Sequence, residues 1–421
     1  MPKISFTERL RRAVGGDSLG QAYYQFLLVH TEFIIFNGLP NVFINTFLMS
    51  QTGDMDIVLI YNCLNFFGTA VGMFFSAAVS HRFHSGIVSV LGILGFNILY
   101  LQLILFNTHA ADYVVLLGST SGLASAFYWL SYSQLFTEFT DLGNRDSGMA
   151  IISIITSAVN SIVPFLAGAM ISGIGGIAGY NTVFGLAFVI AVITAIGAMR
   201  LPKPQNKHKK VRHKETVRFV FQNRVLLFGL LSEGCKGIRE GAFSFILCIL
   251  LYQMIHSEFL VGFNTFVSSL VAVISFLIIS RRIKGPNRIR YMVVAVSALL
   301  IFGAISCLIM NPLVLIAYTV VNSFFSGFIV NSSFGAFLDA VQILPGAEGL
   351  RPELFAQKEL FLATGRCAGI FIIMLIDRFS AGSTVWLSVS LVILTLTQMG
   401  TVAACRQAMK LVGEISAKEC A

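Results

Sequence analysis

The chain alternates between apolar stretches long enough to cross a bilayer and short polar breaks, and that alternation leaves few folds open to it. A spanning helix needs about 20 mostly apolar residues, and about twelve such stretches can be marked. Six lie near residues 22–49, 56–80, 86–107, 113–136, 148–173 and 179–199. Six more lie near 225–252, 257–280, 291–310, 312–337, 355–376 and 382–404. Between the two sets runs LPKPQNKHKKVRHKETVRFVFQNR, residues 201–224, the one long polar interior segment. The expectation is an all-α integral membrane protein with twelve transmembrane helices in two six-helix halves. Residues 1–200 would form the first half, 201–224 a basic cytoplasmic linker, and 225–421 the second half with a short cytoplasmic tail. Composition agrees: 12 % of the 421 residues are charged and 56 % hydrophobic, where a soluble chain carries about twice that charged share.

Basic residues set the orientation. With the N-terminus inside, all but four of the 29 lysines and arginines fall on the cytoplasmic side. Arg378 alone sits in an outside loop, and Lys236, Arg239 and Arg366 lie within spans. This bias places both termini in the cytoplasm. The net charge of +9 therefore marks topology and contact with membrane lipids; no nucleic-acid partner is expected. The first 20 residues have no apolar core before a cleavage site, so no removable signal peptide is expected. The seven cysteines show no C-x-x-C spacing and read as packing residues.

The most informative span is VLLFGLLSEGCKGIREGAFSFILCILL, residues 225–251, which carries Glu233, Lys236, Arg239 and Glu240 inside an apolar run. Charges at bilayer depth face a protein interior or a watery cavity. With Glu233 set at zero on the helical wheel, Glu240, Lys236 and Arg239 fall at about 340°, 300° and 240°. All four share one arc of about 120°. Pairing of Lys236 with Glu233 or with Glu240 is open to them. Two readings stand: a lattice holding helices in register, or the lining of a substrate or proton path.

Other spans add candidates. Glu32 lies near the bilayer centre of the first span, where desolvation of a carboxylate suits it to load and release a proton; the competing reading is a permanent ion pair. His30, on the far side of the same helix, reads as packing. Asn37 and Asn41 lie deeper. In the fourth span Tyr128, Trp129 and Tyr132 suit a sugar or amphiphile surface, or a membrane-interface belt. Asn160 precedes Pro164, a candidate kink. Asn322 is on the tenth span, with Asp339 near its cytoplasmic mouth. In the eleventh, Glu359 and Arg366 are seven apart and share a face, and a carboxylate of the seventh span is the economical partner for Arg366. Arg351 and Glu353 would pair near a cytoplasmic gate. Ala167-Gly168 in the fifth span and Ala368-Gly369 in the eleventh are matching small pairs that permit close helix approach; such matches favour duplicated halves.

Taken together, the spans, the basic central loop and the inside termini resemble the major facilitator superfamily across nearly the whole chain. GIREGAFSF (237–245) with RPELFAQKELFLATGR (351–366) resembles a Firmicute branch that includes uncharacterised Bacillus-type members. More distantly, that branch includes the proton-coupled flippase of lipid-linked disaccharides for lipoteichoic acid. The resemblance implies alternating access, with Glu32, Arg239 and Glu240 in the polar cavity between the halves. Two loops depart from the superfamily's usual G-x-x-x-D-R-x-G-R: VSHRFHS (79–85) and SRRIKGPNR (280–288) both lack the acidic residue.

The expected function is secondary active transport, proton-coupled, of an amphiphile or lipid-linked molecule. General efflux of drugs or small molecules is the alternative within that mechanism, and a non-transporting sensor or scaffold the alternative outside it. No Walker-type loop, H-E-x-x-H, G-x-S-x-G or paired metal-ligand spacing occurs, which argues against an enzyme and against a metal. No cofactor is expected, and the protein is expected to act as a monomer.

Overall fold

The computed structural model describes residues 19–419 apart from 53–54, 142–143, 203–211, 256–257, 284–286, 310 and 381–383. The basic N-terminal segment, the middle of the central polar run and Lys284 thus lie outside the described residues. Twelve helices of 21 to 36 residues and one of 10 make up almost all of the rest. The first six are α1 (Gln21–Thr52), α2 (Met55–Ser80), α3 (Ser85–Phe106), α4 (Val114–Glu138), α5 (Arg145–Ile174) and α6 (Gly176–Met199). The short α7 (His213–Gln222) follows. The second set is α8 (Arg224–Ile255), α9 (Glu258–Arg282), α10 (Arg288–Leu308), α11 (Pro312–Ile343), α12 (Arg351–Ser380) and α13 (Thr384–Glu419). No strand occurs among the described residues.

Among the described residues nine segments are long and apolar enough to cross a membrane, and one of them, Ser85–Glu138, contains both α3 and α4. Pro164 lies inside a helix assigned without a break from Arg145 to Ile174. Two segments differ from the sequence reading. The polar linker contains α7, which turns Thr216 and Val220 inward. The expected tail continues α13 to Glu419. There Leu411, Val412 and Ile415 pack on the core, and Lys410 lies 3.8 Å from Glu414 one turn on. The linker helix is a polar stretch periodic enough to be helical, and the tail prolongs the last apolar segment, which runs to Ser416.

Helix pairings repeat between the halves. In the first half α1 packs on α5 and α6, α4 packs on α2 and α3, and α3 packs on α6. Adding seven to each label gives the pairs of the second half: α8 with α12 and α13, α11 with α9 and α10, and α10 with α13. The halves meet along two further pairs, α2 with α12 and α5 with α9, which the same operation exchanges. One core belongs mainly to the first half and the end of the bundle bearing α7. A second belongs to the second half and takes in Leu59 of α2, with Cys63 and Phe66 packed against it.

The α8–α12 crossing is the closest of these contacts and positions the charged residues. A Cβ on Gly237 would meet the Leu362 carbonyl oxygen, and one on Gly241 the Arg366 backbone. From the other side, Cβ atoms on Gly365 and Gly369 would meet the carbonyl oxygens of Gly234 and Ile238. Glycine at small-xxx-small spacing on both helices lets the backbones touch. That contact places Glu240 of α8 beside Arg366 of α12.

Candidate functional site

Three polar assemblies occupy the interior. The largest is built from α8, α11, α12 and α13. Lys236 Nζ donates to Glu233 Oε2 at 2.7 Å, and Ser333 Oγ donates to Glu233 Oε1 at 2.7 Å. Ser232 lies 2.7 Å from Ser333. On α12, Glu359 lies between Lys358 at 3.3 Å and Arg366 at 3.3 Å. Arg366 also reaches Glu240 Oε2 at 3.2 Å. Arg239 has different company. Its guanidinium donates to Asn322 Oδ1 and to Thr395 Oγ1 at 3.4 Å, and stands 3.7 Å over the Phe243 ring.

Burial divides this assembly. Glu233, Lys236, Arg239 and Glu359 are buried, whereas the side chains of Arg366 and Glu240 are 25 % and 26 % exposed. That accessible pair faces the seam between the halves, because the Arg366 guanidinium lies 5.2 Å over Phe66 of α2. At the same seam Cys63 of α2 neighbours Cys367 of α12, both as free thiols.

The second assembly closes the end of the bundle that bears α7, called here the linker end. His81, just past α2, sits 2.6 Å from Glu353 Oε1 of α12. The same oxygen accepts from the Arg212 backbone N–H at 2.9 Å. The Glu353 side chain is fully buried. Beside it Asp339 of α11 binds Arg288 of α10 and lies 3.5 Å from Arg145 of α5. Two cross-half polar contacts, His81 with Glu353 and Arg145 with Asp339, therefore join the halves at this end. The pairing of Arg351 with Glu353 expected from sequence is replaced: Arg351 lies 3.7 Å from Glu348 one turn earlier, and Glu353 turns to His81.

The third assembly is aromatic and lies within the first half. His30 Nδ1 is 2.7 Å from the Tyr128 hydroxyl, Phe33 stacks on Tyr128, and Trp129 and Tyr132 pack edge to face beside them. Tyr128 is buried, so it serves as core; Trp129 is 38 % exposed. Asn37 accepts from Tyr100 at 3.5 Å. Asn160 lies opposite Gly38, and Asn41 is exposed.

The structure thus gathers Glu233, Lys236, Arg239, Glu240, Glu359, Arg366 and Asn322 in the second half. Glu32 is elsewhere. Its carboxylate is 3.6 Å from where a Cβ on Gly197 would stand, so it points from α1 toward α6. Lys358, Ser333, Thr395 and the His81–Glu353 contact entered only with the structure. The departure of VSHRFHS from the usual loop was the one sequence signal for the last of these.

Residues 26–348 match the profile described as Major Facilitator Superfamily. The chain belongs to this superfamily. It is accordingly a multi-pass membrane protein with the superfamily's transporter fold. Among curated relatives, it is 23 % identical over 372 residues to "Uncharacterized protein YqgE" of Bacillus subtilis (strain 168), covering 87 % of this chain and 85 % of that protein. It is 29 % identical over 146 residues to "Uncharacterized protein in sodM 3'region" of Geobacillus stearothermophilus, covering 35 % of this chain and 68 % of that protein. Solved structures share the fold. The human organic anion transporter MFSD10 (TETRAN) superposes with a TM-score of 0.70 at 14 % identity, covering 93 % of this chain and 99 % of that one. The E. coli fucose:proton symporter FucP gives 0.68 at 10 % identity, covering 92 % and 98 %.

Proposed function

We propose that the protein is a secondary active transporter of a bacterial cytoplasmic membrane, working by alternating access and driven by protons, with an amphiphile or lipid-linked molecule as substrate. The linker end faces the cytoplasm in this reading, with both termini inside, as the distribution of basic residues favours. The halves correspond to residues 1–200 and 225–421, with the linker between them. The observation that carries the proposal is the Glu240–Arg366 pair. It is the part of the charged assembly left accessible, it faces the other half, and buried ion pairs fix it from behind. A carboxylate so placed changes its proton affinity when a substrate competes for its arginine or when the seam opens to water. The buried remainder, Glu233 with Lys236 and Glu359 with Lys358, holds the pair in position, and removal of one member would strand a charge.

Asn37, Asn41 and Asn160 supply neutral hydrogen-bonding groups of the first half. Glu32 is the alternative proton carrier, acting from the α1–α6 side. Proton movement into liposomes holding the purified protein, followed with a pH-sensitive dye, separates the two. Glu240→Gln should abolish ligand-dependent proton uptake while the protein stays folded, and Glu32→Gln should retain it. Unchanged uptake in Glu240→Gln would remove that pair from the mechanism, and loss in Glu32→Gln alone would hand the role to α1. The efflux reading differs only in ligand, and a panel including cationic drugs tests it in the same assay.

A further inference from the structure

We infer that the transported species carries a single negative charge at its polar end and that Arg239 supplies the positive charge that receives it. This rests on the transporter reading above and names the substrate class of that site. The charged assembly holds four cations, Lys236, Arg239, Lys358 and Arg366, against three carboxylates, Glu233, Glu240 and Glu359. Each carboxylate is taken: Glu233 by Lys236, Glu240 by Arg366, and Glu359 by Arg366 and Lys358. Arg239 is left over. Among the described residues its direct contacts are the Asn322 amide oxygen, the Thr395 hydroxyl and the Phe243 ring face, all neutral; the one carboxylate whose charge reaches it is the neighbouring Glu240, which Arg366 already holds.

A cation buried at mid-span without a carboxylate of its own is costly, and proteins keep such groups paired unless a ligand completes them. Arg239 stands at the middle of α8, next in sequence to the accessible Glu240, so the excess charge and the open face of the assembly occupy one level of the helix. The α2 residues packed on the second half's core are the apolar Leu59, Cys63 and Phe66, and Glu32 is turned toward α6. A ligand complementary to these walls has one anionic group for the arginine and an apolar body for the aromatic and aliphatic seam. A cationic amphiphile meets the wrong sign. An uncharged sugar headgroup leaves Arg239 unanswered.

Ligand-induced thermal stabilisation of the full-length protein tests this with probes matched in chain length: decanoate, decanol and decyltrimethylammonium. Lysophosphatidylglycerol against lysophosphatidylcholine separates a phosphodiester from a carboxylate as the anionic group. Decanoate or lysophosphatidylglycerol should stabilise the wild type at concentrations about tenfold below those needed of its neutral or cationic counterpart, a factor ordinary for one charge-assisted contact. Arg239→Gln should lose that preference. Arg239→Lys, which keeps the charge and guards against loss of fold, should retain part of it. Equal stabilisation by all three decyl probes, or an anion preference intact in Arg239→Gln, overturns the inference. Proton flux then separates the two levels. Flux driven only by the cationic probe and lost in Glu240→Gln would keep the transporter reading and sink the anion assignment. Arg239-dependent anion binding without flux from any probe would do the reverse.

Discussion

Replacing His81 with alanine should tip the protein toward opening at the linker end. Glu353 is fully buried there, and its Oε1 accepts from His81 at 2.6 Å and from the Arg212 N–H at 2.9 Å. Alanine removes the first partner and leaves the carboxylate with one. Stripping a buried ion pair of one member costs about 3–5 kcal/mol. The Arg212 N–H remains, so the loss is nearer that of one charge-assisted hydrogen bond, about 2 kcal/mol. Neighbouring cations are not free to compensate: Arg212 lies 3.6 Å from Glu215 and Arg351 lies 3.7 Å from Glu348. Two kcal/mol corresponds to a fall of roughly 30-fold in the ratio of closed to open molecules. Spin labels at Arg82 and Gln342, exposed positions on the two halves, would report it by pulsed electron resonance in a cysteine-free background. A long-distance population should grow in His81→Ala and recede when Glu353→Gln is added, because the double variant no longer buries a bare charge. Unchanged distances in His81→Ala, or a further opening when Glu353→Gln is added, would refute the reasoning.

The α8–α12 crossing gives a stability prediction. Gly365→Ala puts a methyl group against the Gly234 carbonyl, whereas a Cβ on Gly185 meets nothing within 4 Å. The first change should lower the melting temperature in detergent through overpacking of about 1–3 kcal/mol, and Gly185→Ala should leave it unchanged; equal melting temperatures would dismiss the backbone contact as the cause. The contact of Cys63 with Cys367 predicts that copper–phenanthroline oxidation links the halves. After cleavage at a protease site placed within 203–211, the fragments should stay joined without reductant and separate in Cys63→Ala, and fragments that separate in the oxidised wild type would show that the thiols do not meet.

How far the sequence disclosed this arrangement depended on whether an interaction was local. The division into apolar helices was legible because bilayer thickness fixes a length that composition reveals. The wheel of α8 set Glu233, Lys236, Arg239 and Glu240 in one arc, yet the structure sends them to different neighbours. Glu233 meets α11, Arg239 meets α11 and α13, and Glu240 meets α12. A wheel gives direction about one axis, and three helices crowd that side, so the partner stays open. Arg366 was better determined, because a partner seven residues away on its own helix and a carboxylate from α8 left few choices. For Glu32 the depth was legible and the bearing was not: α1 has α5 on one side and α6 on another, and the charge points to α6. His81 and Glu353 are 272 positions apart, and nothing local to either announces the other.

The character of the seam bears on how the halves would move. From Leu59 to mid-span at Phe66, α2 meets the second half through Leu59, Cys63 and Phe66, whereas the linker end is held across the halves by His81 with Glu353 and by Arg145 with Asp339. Exposing apolar surface to water costs about 2.5 kcal/mol per 100 Å², so parting the mid-span contact in every cycle would consume much of what a coupled ion supplies. Ionic contacts behave otherwise. Water returns to each charge what separation removes, and the balance for a buried pair lies close to zero. Opening is therefore cheapest at the linker end, with the apolar contact kept as the pivot. Small rotations about that pivot would leave Phe66 against Arg366 while the distance between His81 and Glu353 grew. The Glu240–Arg366 pair sits beside the pivot, where it would keep its geometry through the cycle while its access to water changed sides. A proton carrier in an alternating-access cycle needs that combination.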